Sequence, residues 1–497
     1  MTSYNQVNGV WASENPITIN QDLYGEIGFQ GFTVTDASGI HSTAPSLNAG
    51  LDQESPLNYF TPANLHAALT TGTITTQQIY NAAFRVVRSY VANGLFDNPL
   101  PATASTNVAT PEHLEIALKM AEEGTVLLKN NHFLPINVKG QRIAVIGPTA
   151  SGVATNGVSA HTVCTASAGR VVDCPTFAAP LDTITARAAR LGDTVIFDKG
   201  SDPTTAASTA AAADIAIVFG YNIEGEGSDL PNLSLFGNGD ALIEAVAAAN
   251  PKTIVIVETG SAILMPWIDQ VQGVFEAWYP GVQQGPAIAA LLFGDVNPSG
   301  KLPVSFSKQL TDLPTGVPPN AQYPGLVDGN TTRPAGNRDI RQVTYSEGLF
   351  TGYRWYDSQG IAPLFPFGFG LSYTSFSYSH LKTDIDKRDR NIRRISVTFQ
   401  VTNVGDRTGT EIAQVYLGLP AGIGEPPKRL VGWSRVDLRA RESRAITVTI
   451  RADSVEHPLS YWDVVQNQWM IADGTYRLYV GASSANLRLS DNFKVKN

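Results

Sequence analysis

Residues 111–375 predict an α/β domain, and the stretch from about residue 390 predicts a β-sandwich. Two observations carry this reading. Continuous apolar runs at Arg142–Ile146, Thr194–Phe197, Ile215–Phe219, Thr253–Val257 and Gly273–Trp278 are separated by helical stretches. Strands that are apolar on both faces belong to a parallel sheet covered by helices on both sides. Further along, Ile395–Asn403, Glu411–Leu417, Arg444–Ile450 and Tyr476–Gly481 alternate with period two. Short alternating strands with turns between them indicate a sandwich of about 100 residues.

The elements follow in order. Phe32–Thr35 is a short buried strand. Helices are expected over 63–72 and 75–94; the second carries Ile79, Ala82, Ala83, Val86, Val87 and Val91 near helical spacing, and Gly94 stops it. The Pro, Ser and Thr of residues 98–106 mark a first boundary. A helix is expected from Pro111 to about Leu128, with proline at an early position. Helical stretches 239–249 and 261–270 separate the last three apolar runs, and 308–375 is rich in loops. The division that results is 1–100, a linker at 101–110, 111–375 with its connector, and 376–497.

Composition excludes several classes of function. At 497 residues the chain holds two to four domains, and its 43% apolar content fills their cores. A formal net charge of −9, without any Lys/Arg run, argues against nucleic acid as a partner. The apolar runs fall short of the ~18 residues that a membrane span needs. The stretch following Met1 lacks the basic region and apolar core of a signal peptide. The two cysteines, Cys164 and Cys174, suit a short surface disulfide, with two free thiols as the alternative; two cysteines alone make a poor zinc site. Asn232 and Asn330 fit the glycosylation pattern. Gly147-Pro-Thr-Ala-Ser-Gly152 follows a strand but lacks the Gly-Lys-Ser/Thr ending of a phosphate loop.

Two acidic signals remain. Asp36 ends Gly-Phe-Thr-Val-Thr-Asp, and Glu226 sits between two glycines in the loop after the 215–219 run. Ligands of parallel sheets bind beyond the strand C-termini, where that loop lies. Two carboxylates at two strand ends are the minimum equipment for splitting a glycosidic bond. Bland roles compete. Asp36, before Ala-Ser-Gly, also suits a helix cap or loop anchor. Glu224 lies two residues from Glu226 and competes for its place, and Asp229 is a third acid in the loop.

At this point the chain resembles glycoside hydrolase family 3 in its multidomain, β-glucosidase-like form. The resemblance is carried by Ser3-Tyr-Asn-Gln-Val-Asn-Gly, Gly28 to Asp36 and Asn48-Ala-Gly-Leu-Asp52. It continues through Glu123 to Pro135, Tyr279-Pro-Gly, Gly294 to Pro303, Tyr345-Ser-Glu-Gly and Phe367 to Thr374. Pro426-Pro-Lys-Arg-Leu-Val-Gly and Ser460-Tyr-Trp-Asp complete it. The implied architecture is the C-terminal remnant of a (β/α)8 barrel, an α/β sandwich domain, and a fibronectin type III-like β-sandwich. The implied activity is that of a retaining, exo-acting β-glucosidase on β-linked oligosaccharides or aryl and alkyl β-glucosides, without metal or cofactor. Asp36 matches the family's nucleophile and Glu226 its acid/base, and Asp229 matches a supporting acid. Tyr4 would line the glycone subsite, with a packed core tyrosine as the alternative. Retention needs carboxyls about 5–5.5 Å apart, one ionised and one protonated. The family implies an extracellular or periplasmic location.

The chain also departs from the family. The barrel portion that precedes this opening in family members is not found, so a fragment of a longer enzyme, weakly stable in its first 100 residues, is expected. Ala37 stands where many members place an aromatic residue, and Gln283 where a Glu is common. A β-xylosidase, or an impaired fragment that only binds carbohydrate, is the alternative function.

Overall fold

The computed structural model describes residues 1–101, 103, 109–155, 157–164, 178–225, 230–317, 320–327, 340–388 and 391–496. It forms two compact units, Met1–Val108 and Ala109–Asn497.

In the first unit the run ending at Thr35 is extended, with parallel bridges from Thr35 to Thr2 and from Val34 to Gln53. Ile17–Glu26 is a π-helix, a conformation without a distinctive residue pattern. Helix α1, Pro62–Thr70, begins with proline and is capped by the Thr61 side chain, which accepts from the Asn64 N–H. Helix α2, Thr76–Ala92, opens with a capping box: Thr75 Oγ1 accepts from the Gln78 N–H while Gln78 Oε1 accepts from the Thr75 N–H. Leu47, Ala68, Ile74 and Ala82 form the small core of this unit. Beside it Asp52, whose side chain is fully buried, accepts from the Thr33 N–H and pairs with Arg85 at 2.7 Å. The Tyr24 hydroxyl also donates to Asp52, and burial together with that bond pushes Tyr24 up to about 12.

The second unit begins with α3, Pro111–Gly124. The expected helix to Leu128 is therefore too long. After Gly124 the chain turns extended, and β1, Val126–Asn130, pairs along a sheet edge. A short apolar run does not by itself separate helix from strand, and here the free edge of the sheet decides.

The sheet continues with β2 (Arg142–Ile146), β3 (Thr194–Asp198), β4 (Ile215–Tyr221), β5 (Thr253–Glu258) and β6 (Gly273–Glu276). The spatial order is β1-β6-β5-β4-β2-β3, with only β1 antiparallel to its neighbour. Alternate residues of each strand feed two cores. Ala144 and Ile146 face α5 (Pro203–Ala211) and α6 (Gly239–Ala249); Ile143 and Val145 face α4 (Pro180–Ala189) and α7 (Gln284–Phe293). Each large aliphatic side chain buried this way contributes roughly 1.5–3 kcal/mol. The expected helix at 261–270 is not formed; only Ile268–Gln270 makes a 3₁₀ turn. Pro266 lacks the N–H that a helix interior needs, and the Leu264 N–H is spent on Leu233 O.

The sandwich packs a three-stranded sheet, β7 (Phe376–Arg388), β8 (Asn391–Asn403) and β11 (Ser443–Arg451), on a four-stranded one. The latter holds β9 (Gly409–Gly418), β10 (Arg429–Leu438), β12 (Gly474–Gly481) and β13 (Leu487–Val495). The register sets Ile395 opposite Ile450, Val397 opposite Val448 and Phe399 opposite Ile446, and these three pairs turn an apolar face to the core. Polar contacts join the sandwich to the preceding segment. Lys301 pairs with Glu411 at 3.1 Å, both nearly buried, and the Gln414 amide donates to Gly368 O and Ala482 O.

Candidate active site

Asp36 sits where the bridged strand of the first unit ends, half-buried. Its N–H donates to Thr2 O at 3.1 Å, and its carbonyl accepts from the Gly39 N–H at 2.9 Å. Ser38, at φ 63°, closes the turn, and its N–H donates to Ser55 O. The carboxylate is oriented locally, because Oδ1 accepts from the Ala37 N–H at 2.7 Å. No helix follows the turn directly, so Asp36 is not a helix cap. Tyr4 lies two residues beyond the Thr2 bridge and is 51% exposed, so it is not a core tyrosine.

In the second unit the C-terminal edge of the sheet gathers polar groups. Asn222 follows β4, and its N–H continues the ladder to Glu258 O. Its Oδ1 accepts from the Phe236 N–H at 2.8 Å, and its carbonyl accepts from the Tyr279 hydroxyl at 2.9 Å. Glu224 Oε1 accepts from the Gly260 N–H at 2.9 Å and from Ser261 Oγ at 3.0 Å. Burial, and after it the nearby Glu224 charge, push Tyr279 well above its usual value, so its phenol stays a donor. Glu226 and Asp229, the other acids of this loop, lie outside the described residues.

Two more carboxyls lie beneath this layer. Glu258 and Glu276 end β5 and β6 and are both fully buried. Among the described residues neither Glu258 oxygen has a hydrogen-bond partner, and burial pushes the group up to about 8, an effect that the adjacent Thr149 hydroxyl partly offsets. Glu276 accepts from the Trp278 N–H at 3.0 Å and from Thr259 Oγ1; burial still holds it well above the ordinary value, and Glu258 adds to the rise. Burial thus favours the protonated form of both. A cleft of about 260 Å³ at the same sheet edge is lined by Lys199, Tyr221, Phe236 and neighbours without a carboxylate, which separates it from this acidic cluster.

Of the two sequence motifs, Asp36 stands at a strand end on a short polar turn of the first unit, and the described part of the second, up to residue 225, follows β4 in the second unit. Residues 125–373 match the glycosyl hydrolase family 3 C-terminal domain, and residues 411–484 the fibronectin type III-like domain. The probable β-glucosidase L of Emericella nidulans is 35% identical over the whole of this chain and 71% of its own length. The chain belongs to glycoside hydrolase family 3. The thermostable β-glucosidase B of Acetivibrio thermocellus is 32% identical over the whole chain and 63% of its own length. Among solved structures, the β-D-glucoside glucohydrolase of Trichoderma reesei superposes with a TM-score of 0.85 at 31% identity, over 99% of this chain and 72% of that one. A β-glucosidase of Streptomyces venezuelae in complex with D-glucose gives 0.85 at 30% identity, over 99% and 76%.

As a family 3 glycoside hydrolase, the chain carries residues that pattern reading passes over. Glu258 and Glu276 end the runs Thr-Ile-Val-Ile-Val-Glu and Gly-Val-Phe-Glu. The signal was a carboxyl fused to an apolar strand, without a turn residue to carry it into water. Trp278 packs against Phe306, and Tyr279 packs with Val158, Val163 and Tyr221. Cys164 is disulfide-bonded; Cys174, the chain's other cysteine, lies outside the described residues. No helix among the described residues is long and apolar enough to cross a membrane.

Proposed function

We propose that this hydrolase removes terminal β-D-glucosyl residues from the non-reducing ends of β-glucosides and short oligosaccharides, with retention of configuration. The observation that carries the reading is the match of the entire chain to proteins named β-glucosidase, at up to 35% identity over 71% of their length. In this reading Asp36 is the nucleophile. Its carboxylate attacks the anomeric carbon, the bond to the leaving oxygen breaks, and a glycosyl ester forms. Glu226 gives that oxygen its proton. It then takes a proton from water, which attacks the same carbon and releases Asp36. The Ala37 N–H on Oδ1 fixes the plane of the Asp36 carboxyl before substrate arrives. Tyr4, exposed two residues after Thr2, whose carbonyl accepts from the Asp36 N–H, lines the glycone subsite. The disulfide at Cys164 supports an oxidising, extracellular or periplasmic location.

The test is hydrolysis of an aryl β-D-glucoside by the 497-residue chain, beside Asp36→Asn and with the first-formed anomer followed by NMR. The expected result is β-glucose as first product and a loss of roughly 10³-fold or more in the variant. Undiminished turnover by Asp36→Asn, α-glucose as first product, or preference for the β-xyloside would overturn the reading.

A further inference from the structure

Glu224 is the described acid nearest in sequence to Glu226, yet its carboxylate is committed. Oε1 takes two hydrogen bonds, from the Gly260 N–H and the Ser261 hydroxyl, both on the segment leaving β5. Oε2 lies so close over Gly260 that a Cβ there would stand 2.7 Å from it and 2.8 Å from Tyr279 Cε2. The glycine is therefore part of the seat: any side chain would push the Glu224 carboxyl off. The neighbouring tether is independent, since Tyr279 and Phe236 hold Asn222 through its carbonyl and its Oδ1. The start of the loop is thus fastened at residues 222 and 224 to groups from two other loops.

We infer that Glu224 is a positioning residue, a latch that seats the loop carrying the acid/base on the β5 exit, and that Gly260 is kept bare to receive it. The inference rests on the assignment of Glu226 above. Two residues of chain span at most about 7 Å, so the seat at Glu224 limits where the side chain two residues on can go. The latch works through acceptor oxygens alone. A glutamine keeps one such oxygen, and an alanine keeps none.

The experiment compares Glu224→Ala, Glu224→Gln and Glu226→Ala in the full chain. Turnover is measured on 2,4-dinitrophenyl and 4-nitrophenyl β-D-glucosides with and without azide, and amide exchange is measured across 222–225 and 258–261. Removal of the acid/base leaves dinitrophenolate departure nearly intact, because that group needs no proton. Azide then attacks the glycosyl ester: the bond between C1 and Asp36 breaks, a C1–N bond forms, and β-glucosyl azide leaves. Glu226→Ala is expected to give this product. Glu224→Ala is expected to lose roughly 10–10²-fold in kcat/KM on the nitrophenyl substrate, as a misplacement near 1 Å does, without forming the azide product. It also speeds exchange at the Gly260 amide. Glu224→Gln is expected to restore slow exchange and most of the rate. Glucosyl azide from Glu224→Ala would make Glu224 itself the acid/base and overturn the latch. Unchanged exchange and rate in Glu224→Ala would overturn it as well. Full nitrophenyl activity in Glu226→Ala would remove the assignment on which it rests, a result that the other arms do not mimic.

Discussion

Glu258→Gln isolates the cost of one buried acid. Glu258 has no exposed surface and, among the described residues, no hydrogen-bond partner on either oxygen, and it is pushed from its ordinary 4.5 up to about 8. The folded state therefore holds a proton that the unfolded chain releases above pH 4.5. With more protons bound in the folded state, stability falls as pH rises through this window, by about 1.4 kcal/mol per pH unit for one proton. Between pH 4.5 and about 8 the loss reaches about 5 kcal/mol. Below the window the contribution is complete, and above it both states are ionised and the slope vanishes. Glutamine has the same shape and cannot ionise. The expected outcome is equal stability of both proteins near pH 4.5 and a variant more stable by several kcal/mol near pH 8. Removing Glu258 also removes its contribution to the rise of Glu276, which lessens that group's own slope in the variant. The assay is urea unfolding at about pH 5, 6, 7 and 8, followed by tryptophan fluorescence. Trp267, wholly buried in the core flanking the sheet, reports on the right region. Parallel stability–pH curves for the two proteins would refute the reasoning.

Other outcomes follow from the same kind of accounting. Arg85→Met strands the Asp52 carboxylate in the first unit and is expected to cost about 3–5 kcal/mol, read as a lowered urea midpoint for that unit. Gly147→Ala sets a Cβ 2.8 Å from Phe219 O at a φ of 123°, where an L side chain is strained; a fall of about 1–3 kcal/mol in unfolding free energy is expected. Lys301→Met leaves Glu411 buried without its partner, and limited proteolysis of the variant is expected to cut between the α/β portion and the sandwich sooner than in the parent.

The central strands were legible because each is buried on both faces. Arg142–Ile146 and Gly239–Ala249 carry their own boundaries, a charged start in one and a glycine start in the other. Two elements were misread for a shared reason, that an apolar run does not say what it will pair with. Val126–Asn130 continues the composition of the preceding helix, and only the vacant side of β6 makes it a strand. Residues 261–270 look helical until Leu264 is seen bonded to Leu233. In the candidate site, Asp36 was visible because a strand, an acid and a tight turn lie together in sequence. Glu224 was visible only as a rival of Glu226, since its partners Gly260 and Ser261 are 36 and 37 residues away. Glu258 and Glu276 were passed over because a carboxyl at the end of a strand ordinarily points to water.

The hydrogen bond from the Phe236 N–H to Asn222 Oδ1 joins the outgoing and returning arms of the acidic loop at its base. A loop clasped at its own neck is an exchangeable cassette. Doubling the length of the chain that such a clasp encloses costs only about 0.6 kcal/mol in closure entropy. The chain after Glu224 can therefore lengthen or shorten at little entropic cost while Asn222 and Glu224 keep their ties and β4 and α6 stay as they are.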